Sequence, residues 1–131
     1  MKATITAKNQ IIKDTRGRLA ISTLSEHFPT KRFFIIDHVP IGESRGNHAH
    51  KTCTQILYCT AGSIDVLLDN GINKQLIQLD CESEALVIPP GIWNHLKFTQ
   101  SDSQLLVLSD EDFSEAEYIR DYQVFLEWIN K

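Results

Sequence analysis

The sequence predicts an all-β barrel or sandwich that ends in a short C-terminal helix. Many short, apolar, β-prone runs recur between turn-forming residues, which is typical of antiparallel sandwiches and barrels. Asn70-Gly71 stands between two such runs, and this dipeptide is the strongest short hairpin signal because a type I′ turn needs positive φ at both central positions. Near the C-terminus the apolar residues change to helical spacing.

The turn signals divide the chain into its elements. Asp14 to Gly17 (DTRG) is the first turn, residues 39–46 form a loop, and Pro89-Pro90-Gly91 interrupts the strand ladder. The predicted strands cover residues 31–37, 54–59, 64–68, 74–80, 85–88, 96–99 and 104–108.

The C-terminal helix is predicted from its cap and from its apolar face. Ser114 and Glu117 have the spacing of a capping box. The apolar positions that follow at helical spacing are Tyr118, Tyr122, Phe125, Leu126 and Ile129. We expect this helix to pack on the barrel or on a partner subunit.

Length and charge restrict the class of protein. A chain of 131 residues predicts one domain over residues 1–131. The formal net charge of −4 argues against nucleic acid or an anionic membrane as the main partner. No apolar run reaches the roughly 20 residues of a membrane span, and the N-terminal residues lack the apolar run of a signal peptide.

Cys53, Cys59 and Cys81 lack metal or disulfide spacing and indicate reduced thiols. A cytoplasmic protein is expected.

Two closely spaced histidines are the most informative feature. His48 and His50 flank Ala49, so on a strand both imidazoles project from the same face. Burying such a pair inside a barrel is costly unless the groups are solvated, bonded or used. Because the unperturbed imidazole pKa is about 6.5, the pair is suited to acid–base chemistry near neutral pH.

The spacing around these histidines resembles the two cupin motifs. Gly42, His48, His50 and Gly62 fit the first motif without gaps, and Gln55 stands where the family usually has Glu. In the second motif Pro89-Pro90-Gly91 fits, Ser83 replaces a glycine, and Asn94 replaces the third histidine. The fold expected from this resemblance is a cupin, a double-stranded β-helix or jelly-roll barrel.

The departures from the cupin motifs decide the expected chemistry. Gln55 and Asn94 carry neutral amides, which are poor ligands for a divalent transition metal compared with carboxylate or imidazole. We therefore expect no metal and no other cofactor. A metal site stays open as an alternative if His95, one residue after Asn94, turns into the barrel. A shift of one residue places a side chain on the other face of a strand, unless a bulge corrects it.

Several other polar residues are candidates for substrate binding. Arg45 is a forked donor for a phosphate or a carbonyl oxygen, and Arg16 and Arg32 are candidates of the same kind. Trp93 is placed to stack on a ring or to plug the barrel mouth. The remaining candidates are Gln55, Asn94 and His95.

The segment Arg45 to Lys51 (RGNHAHK) resembles the RGxHAHK signature of the dTDP-sugar 3,4-ketoisomerases, the WxcM-like cupins. The family also resembles this chain at DTRG with Leu19, at Arg32-Phe33-Phe34, at Asp69-Asn70-Gly71, at Pro90 to Trp93, and at YIRDY from Tyr118 to Tyr122. The likeness covers nearly the whole chain. The family often has Tyr where this chain has Phe after Arg32.

The resemblance implies a specific reaction. These enzymes move the carbonyl of dTDP-4-keto-6-deoxy-D-glucose from C4 to C3 through an enediolate, and their products lead to 3-amino-3,6-dideoxy sugars of surface glycans such as an S-layer glycan or an O-antigen. We expect His50 to act as the main base, His48 as its acid/base partner, and Arg45 to stabilise the enediolate. The resemblance further implies a homodimer with an exchanged N-terminal strand. The C4 configuration of the product stays open.

Three alternatives use the same residues differently. A 3,5-epimerase-like or other nucleotide-sugar isomerase would return the proton to the carbon that lost it. A dioxygenase-type cupin would hold a stoichiometric metal. A non-catalytic sugar-binding cupin would bind the ligand without turnover.

Overall fold

A computed structural model describes residues 4–5, 8–24 and 28–131 of the chain. The strands in this part are β1 (Thr4–Ile5), β2 (Lys8–Asp14), β3 (Gly17–Thr23), β4 (Arg32–Ile36), β5 (Ser44–His50), β6 (Gln55–Ala61), β7 (Ser63–Asp69), β8 (Lys74–Asp80), β9 (Leu86–Ile88), β10 (Trp93–Phe98), β11 (Gln104–Ser109) and β12 (Tyr118–Ile119). A 3₁₀ turn covers Glu115–Glu117, and one helix, α1, covers Tyr122–Ile129.

Two five-stranded sheets form the barrel. Their strand orders are β1-β9-β6-β11-β4 and β12-β5-β10-β7-β8, while β2 and β3 form a separate hairpin. Every strand pair within these sheets is antiparallel. This arrangement confirms the predicted all-β cupin fold with a short C-terminal helix.

The core fills the space between the two sheets. Strands that face the core with every second residue bury one apolar set and leave the other for the outer surface. In β7, for example, Ile64, Val66 and Leu68 are fully buried. The other buried apolar residues of this core are Leu57, Cys59, Leu79, Leu86, Ile88, Ile92, Leu96, Phe98, Leu105 and Val107.

Helix α1 covers the outer face of the second sheet. Ala49, Ile119 and Phe125 form a buried cluster there, and Trp93 packs against it. Phe125 has no exposed surface, so the helix is attached firmly to the back of β5. Because Ala49 points outward under this helix, its neighbours His48 and His50 point into the barrel.

The hairpin at Asn70-Gly71 forms, but its turn differs from the predicted one. β7 and β8 pair as far as Asp69 and Lys74, which leaves a four-residue loop. Gly71 has a φ of +91°, whereas Asn70 uses its side-chain oxygen to accept hydrogen bonds from the Ile72 and Asn73 amides. The asparagine thus supplies an acceptor for the loop rather than a left-handed backbone.

The predicted capping box at Ser114 and Glu117 is wrong. Ser114 makes no side-chain cap bond, and helix α1 begins only at Tyr122. Asp121 is its N-cap, because one carboxylate oxygen accepts hydrogen bonds from the Gln123 amide at 2.9 Å and the Val124 amide at 3.1 Å. Glu117 is instead buried in the site described below.

No helix among the described residues is long and apolar enough to cross a membrane.

Candidate active site

A bulge in β5 sets the direction of the site residues. Gly46 and Asn47 both have positive φ, +87° and +59°. In the pairing with β10, His48 lies opposite Asn94 and Gly46 opposite His95, so Asn47 is the extra residue. The bulge resets the alternation of the strand. Arg45 therefore faces the barrel on the same side as the histidine pair, although it lies three residues before His48.

These side chains surround a cavity of about 210 Å³ inside the barrel. Its polar wall includes Arg45, His48, Gln55 and Asn94, four residues predicted from the sequence. Its other lining residues are Phe34, Ile36, Gly46, Leu57, Ile88, Leu96, Val107, Tyr118 and Arg120. The cavity thus has apolar walls with a few polar groups directed inward, as small-molecule sites usually have.

His50 lies behind this wall, bound to an acid. It is 3% exposed, and its Nδ1 is hydrogen-bonded to the Glu117 carboxylate. The other carboxylate oxygen accepts hydrogen bonds from the backbone amides of Lys51 at 3.1 Å and of Thr52 and Cys53 at 3.4 Å. Burial opposes ionisation of Glu117, yet the hydrogen bonds from His50 and the backbone leave its pKa below the ordinary value.

His48 is the imidazole that faces the cavity. Its ring lies edge to face with that of His50, at a centroid distance of 5.0 Å and an interplanar angle of 85°. Burial, followed by the proximity of His50, lowers the pKa of His48 to about 4. His48 is therefore neutral at pH 7, with one ring nitrogen unprotonated.

Tyr118 joins the two histidines to an arginine. Its ring centroid lies 5.1 Å from that of His48 and 4.4 Å from that of His50. Arg32 donates a hydrogen bond of 3.1 Å to the phenolic oxygen, so Arg32 contributes to the site through Tyr118. The Arg120 guanidinium lies 4.4 Å from the same ring and is paired with Glu115.

The two amides that replace metal ligands are buried in the cavity wall. The Gln55 amide donates to Ser109 Oγ at 3.1 Å, and the Asn94 amide donates to the backbone oxygen of His48 at 3.2 Å. Asn94 thereby connects β10 to the strand that carries the histidines. Both residues are at most 5% exposed, so each amide has a definite structural partner besides any ligand.

His95 does not turn into the barrel. Asn94, Leu96 and Phe98 are the buried residues of β10, and His95 lies on the opposite face. Its ring is hydrogen-bonded to Asn47 Oδ1 at 2.6 Å and to Ser44 Oγ at 3.0 Å. The pairing of β10 with β7 is regular through this point, so no bulge on that side moves His95 inward.

Two further predicted binding residues lie away from the cavity. The Trp93 ring packs against Tyr122 and Phe125 under helix α1, with centroid distances of 5.3 and 5.7 Å. Arg16 lies at the tip of the β2–β3 hairpin and pairs with Asp14 at 2.6 Å. A role for either residue in binding stays a prediction.

Within residues 4–5, 8–24 and 28–131, one group of side chains offers donors of the kind that metals use. His50, Cys53 and Glu117 place ligand atoms within 4.8 Å of one another. His50 and Glu117 are already bonded to each other, and burial, followed by the nearby Asp110 and Glu117, raises the pKa of the Cys53 thiol to about 11. To hold an ion, this set would have to give up the hydrogen bond between His50 and Glu117, so its donors do not fit a metal as they are arranged.

Sequence reasoning missed three residues of the site. The sequence pattern assigns Glu117 to a helix cap and Tyr118 to the helix face, and it includes Arg120 only in the YIRDY likeness. All three follow β11 and reach the site because β12 pairs with β5, Tyr118 opposite His50. The only signal for them was their place in the segment that resembles the family.

Sequence comparison identifies the family of this chain. The chain matches the model of the FdtA family, described as WxcM-like, C-terminal, over residues 1–130. A TDP-4-oxo-6-deoxy-alpha-D-glucose-3,4-oxoisomerase of Aneurinibacillus thermoaerophilus is 36% identical over 122 residues, which covers 92% of this chain and 88% of that protein.

Solved structures of similar proteins share the fold over almost their whole length. A 3,4-ketoisomerase from Helicobacter canadensis has a TM-score of 0.89 and 31% identity, covering 100% of this chain and 99% of that one. A histidine-to-asparagine mutant of the 3,4-ketoisomerase QdtA from Thermoanaerobacterium thermosaccharolyticum, in complex with TDP-4-keto-6-deoxyglucose, has a TM-score of 0.86 and 29% identity, covering 95% and 91%. This chain therefore belongs to the FdtA family of WxcM-like, C-terminal proteins.

Proposed function

We propose that this protein is a dTDP-4-keto-6-deoxy-D-glucose 3,4-ketoisomerase that works without a metal. The observation that carries the proposal is the imidazole of His48 in the cavity wall with His50 next to it, while Asn94 and Gln55 hold the positions of the third histidine and the carboxylate of the cupin motifs. Imidazoles that are not bound to a metal are free to move protons. Relatives at 29–36% identity that act on this class of sugar support the choice of substrate.

The proposed reaction moves two protons and no other atoms. An imidazole removes the proton at C3, the C–H electron pair forms a C3–C4 double bond, and the carbonyl pair moves onto O4. A proton passes from O3 to O4, and the carbonyl re-forms at C3 while the imidazolium returns a proton to C4. Substrate and product are isomers, so the step needs no oxidant or reductant.

The geometry favours His48 as the group that meets the sugar. His48 lines the cavity, whereas the Nε2 atom of His50 is buried and has no hydrogen-bond partner among the described residues. A base must come within hydrogen-bond reach of the proton it removes. We therefore propose His48 as the direct base and His50 as its partner, the reverse of the order expected from the sequence.

Cationic groups at the cavity would stabilise the enediolate. Arg45 and Arg120 both line the cavity, and a fixed donor aimed at developing negative charge typically lowers a barrier by about 3–4 kcal/mol. Arg45 follows the sequence prediction, and Arg120 is added by the structure. We propose the Tyr118 hydroxyl as a further donor to a sugar oxygen, because Tyr118 also lines the cavity.

The experiment that tests the proposed function is direct. The purified protein is incubated with dTDP-4-keto-6-deoxyglucose in buffer containing a chelator, and the product is analysed by NMR. We expect a 3-keto sugar from the wild type, and loss of turnover by at least about 10²-fold for His48→Asn and for His50→Asn. A substrate that binds but stays unchanged with the wild type would refute the proposal and favour a non-catalytic sugar-binding protein.

We further propose that residues 1–131 form one domain and that the protein is cytoplasmic. Two copies would assemble as a homodimer with exchanged N-terminal strands. Ile12, Leu19 and Ile21 of the hairpin and Phe33 and Ile35 of edge strand β4 are 40–66% exposed. Exposed apolar groups in such number, on the hairpin and on an edge strand, favour a partner. Light scattering should give twice the monomer mass. The product would supply 3-amino-3,6-dideoxy sugars for an S-layer glycan or an O-antigen.

A further inference from the structure

We infer that Glu117 is a positioning residue, which acts through His50 to fix the nitrogen of His48 that carries the proton. The inference rests on the proposed function, and it adds a relay from a carboxylate through two imidazoles to the sugar. Three features of the described residues support it. The buried Glu117 carboxylate has hydrogen bonds to both of its oxygens, and two buried ring nitrogens have no hydrogen-bond partner.

The Glu117 carboxylate can only accept hydrogen bonds when it is ionised. One of its oxygens is bonded to His50 Nδ1, and the other accepts from three backbone amides of the turn after β5. The side chain is therefore held from both sides, and the proton of the His50 bond must belong to the ring. This places the His50 proton on Nδ1 and leaves a lone pair on Nε2.

The unpartnered nitrogens are His50 Nε2 and His48 Nδ1. Both are buried without a hydrogen-bond partner in the described part of the chain, and leaving such an atom unpaired costs about 1–3 kcal/mol. The two rings lie edge to face with centroids 5.0 Å apart. A rotation of either ring when the sugar binds, which would also change the hydrogen bond of His48 with the Gly46 backbone, would let His48 Nδ1 donate to His50 Nε2.

This relay would hold His48 ready to act as a base. With its proton on Nδ1, His48 keeps the lone pair of Nε2 for the cavity, where the C3 proton is removed. The imidazolium that forms would then be stabilised through His50 by the negative charge of Glu117. A carboxylate that orients an imidazole in this way is worth far more in turnover than in affinity.

Glu117→Gln tests the relay with little change of shape. The amide oxygen can accept from the backbone amides, and its NH₂ group would donate to His50 Nδ1. The His50 proton then moves to Nε2, and the His48 lone pair is drawn away from the sugar. We expect kcat to fall by on the order of 10²- to 10⁴-fold with KM within about threefold. Glu127→Gln, an exposed change on α1, removes the same charge and should leave kcat unchanged.

Nitrogen NMR of ring-labelled histidine gives a readout that a merely structural role would not move. We expect the wild-type His50 proton on Nδ1 and the Glu117→Gln proton on Nε2. Wild-type kcat in Glu117→Gln, or lost turnover with the proton still on Nδ1, would overturn the inference. If this variant does not fold, the wild-type spectrum still decides, since a His50 proton on Nε2 contradicts the relay. A wild type that makes no 3-keto sugar while keeping the Nδ1 proton refutes the proposed function instead.

Discussion

The Arg32 guanidinium donates a hydrogen bond of 3.1 Å to the phenolic oxygen of Tyr118. Because this bond occupies a lone pair of the phenol, the O–H group of Tyr118 stays free to donate into the cavity. The same ring contacts both histidines, so the arginine holds a donor next to the two groups proposed to move protons.

Tyr118→Phe removes this donor and keeps the ring contacts. We expect kcat/KM to fall by about 10²-fold, because a hydrogen bond to developing negative charge is lost. The free energy of unfolding should fall by about 1–3 kcal/mol, since Arg32 loses an acceptor. Tyr122→Phe is the matched control. The Tyr122 hydroxyl donates to Asp69 at 2.6 Å, but Tyr122 does not line the cavity. Equal turnover of the two variants would contradict a role for Tyr118 in the reaction.

Stability should decrease in mild acid because of His48. Burial and the proximity of His50 lower its pKa from 6.5 to about 4, so between these values the unfolded chain binds a proton that the folded chain does not. Stability therefore falls as the pH drops from 6.5 towards 4, by no more than about 3.5 kcal/mol at about 1.4 kcal/mol per pKa unit.

Urea unfolding of the wild type and of His48→Asn at several pH values checks this dependence. The wild type should lose more stability than the variant between pH 7 and pH 4.5. Parallel curves for the two proteins would show that His48 titrates normally. Burial alone would raise the pKa of Glu117, but its bond to His50 and the backbone hydrogen bonds lower it. Glu117 therefore contributes a further loss of stability only at more acidic pH.

Gly46 is required by the bulge that turns Arg45 and His48 to one side. It has a φ of +87°, and a Cβ at this position would lie 2.7 Å from Asn94 Oδ1 and 3.2 Å from the Asn94 backbone oxygen. We expect Gly46→Ala to destabilise the fold by about 1–3 kcal/mol more than Gly42→Ala, as Gly42 has a similar φ of +86° with nothing within 4 Å. Thermal unfolding measures both variants, and equal losses would contradict the crowding argument.

A metal site should form in the cavity when Gln55 and Asn94 are replaced by metal ligands. Gln55→Glu combined with Asn94→His would supply a carboxylate and a third imidazole beside His48 and His50, the donor set that transition metals prefer. After incubation with Ni²⁺ and dialysis, elemental analysis should find about one metal per chain in the double variant and much less in the wild type. A stoichiometric metal in the wild type would show that Gln55 and Asn94 do not prevent metal binding.

The sequence predicted the histidine face because strand periodicity is local. His48, Ala49 and His50 need only a strand to point as they do, and the positions of Gln55 and Asn94 follow from motif spacing. Glu117 could not be found this way. Its spacing from Ser114 matches a helix cap, and only the pairing of β12 with β5, a contact between distant segments, brings it to His50. The partners of Trp93 could not be predicted either, because Tyr122 and Phe125 contact it only through the packing of α1 on the sheet.

The direction in which residue 95 points depended on the backbone of another strand. The one-residue offset of His95 leaves two outcomes, which depend on where a bulge falls. The bulge lies in β5, at Gly46 and Asn47, rather than in β10. Two successive residues with positive φ are hard to predict when only one of them is glycine.

Proton nuclear magnetic resonance of the reaction in D₂O distinguishes a ketoisomerase from an epimerase. The wild type, treated with a chelator and mixed with dTDP-4-keto-6-deoxyglucose, is predicted to yield a sugar with its carbonyl at C3 and a new C–H or C–D bond at C4, with no deuterium at C5. Deuterium at C5 in a sugar that keeps its carbonyl at C4 would contradict the account and indicate an epimerase.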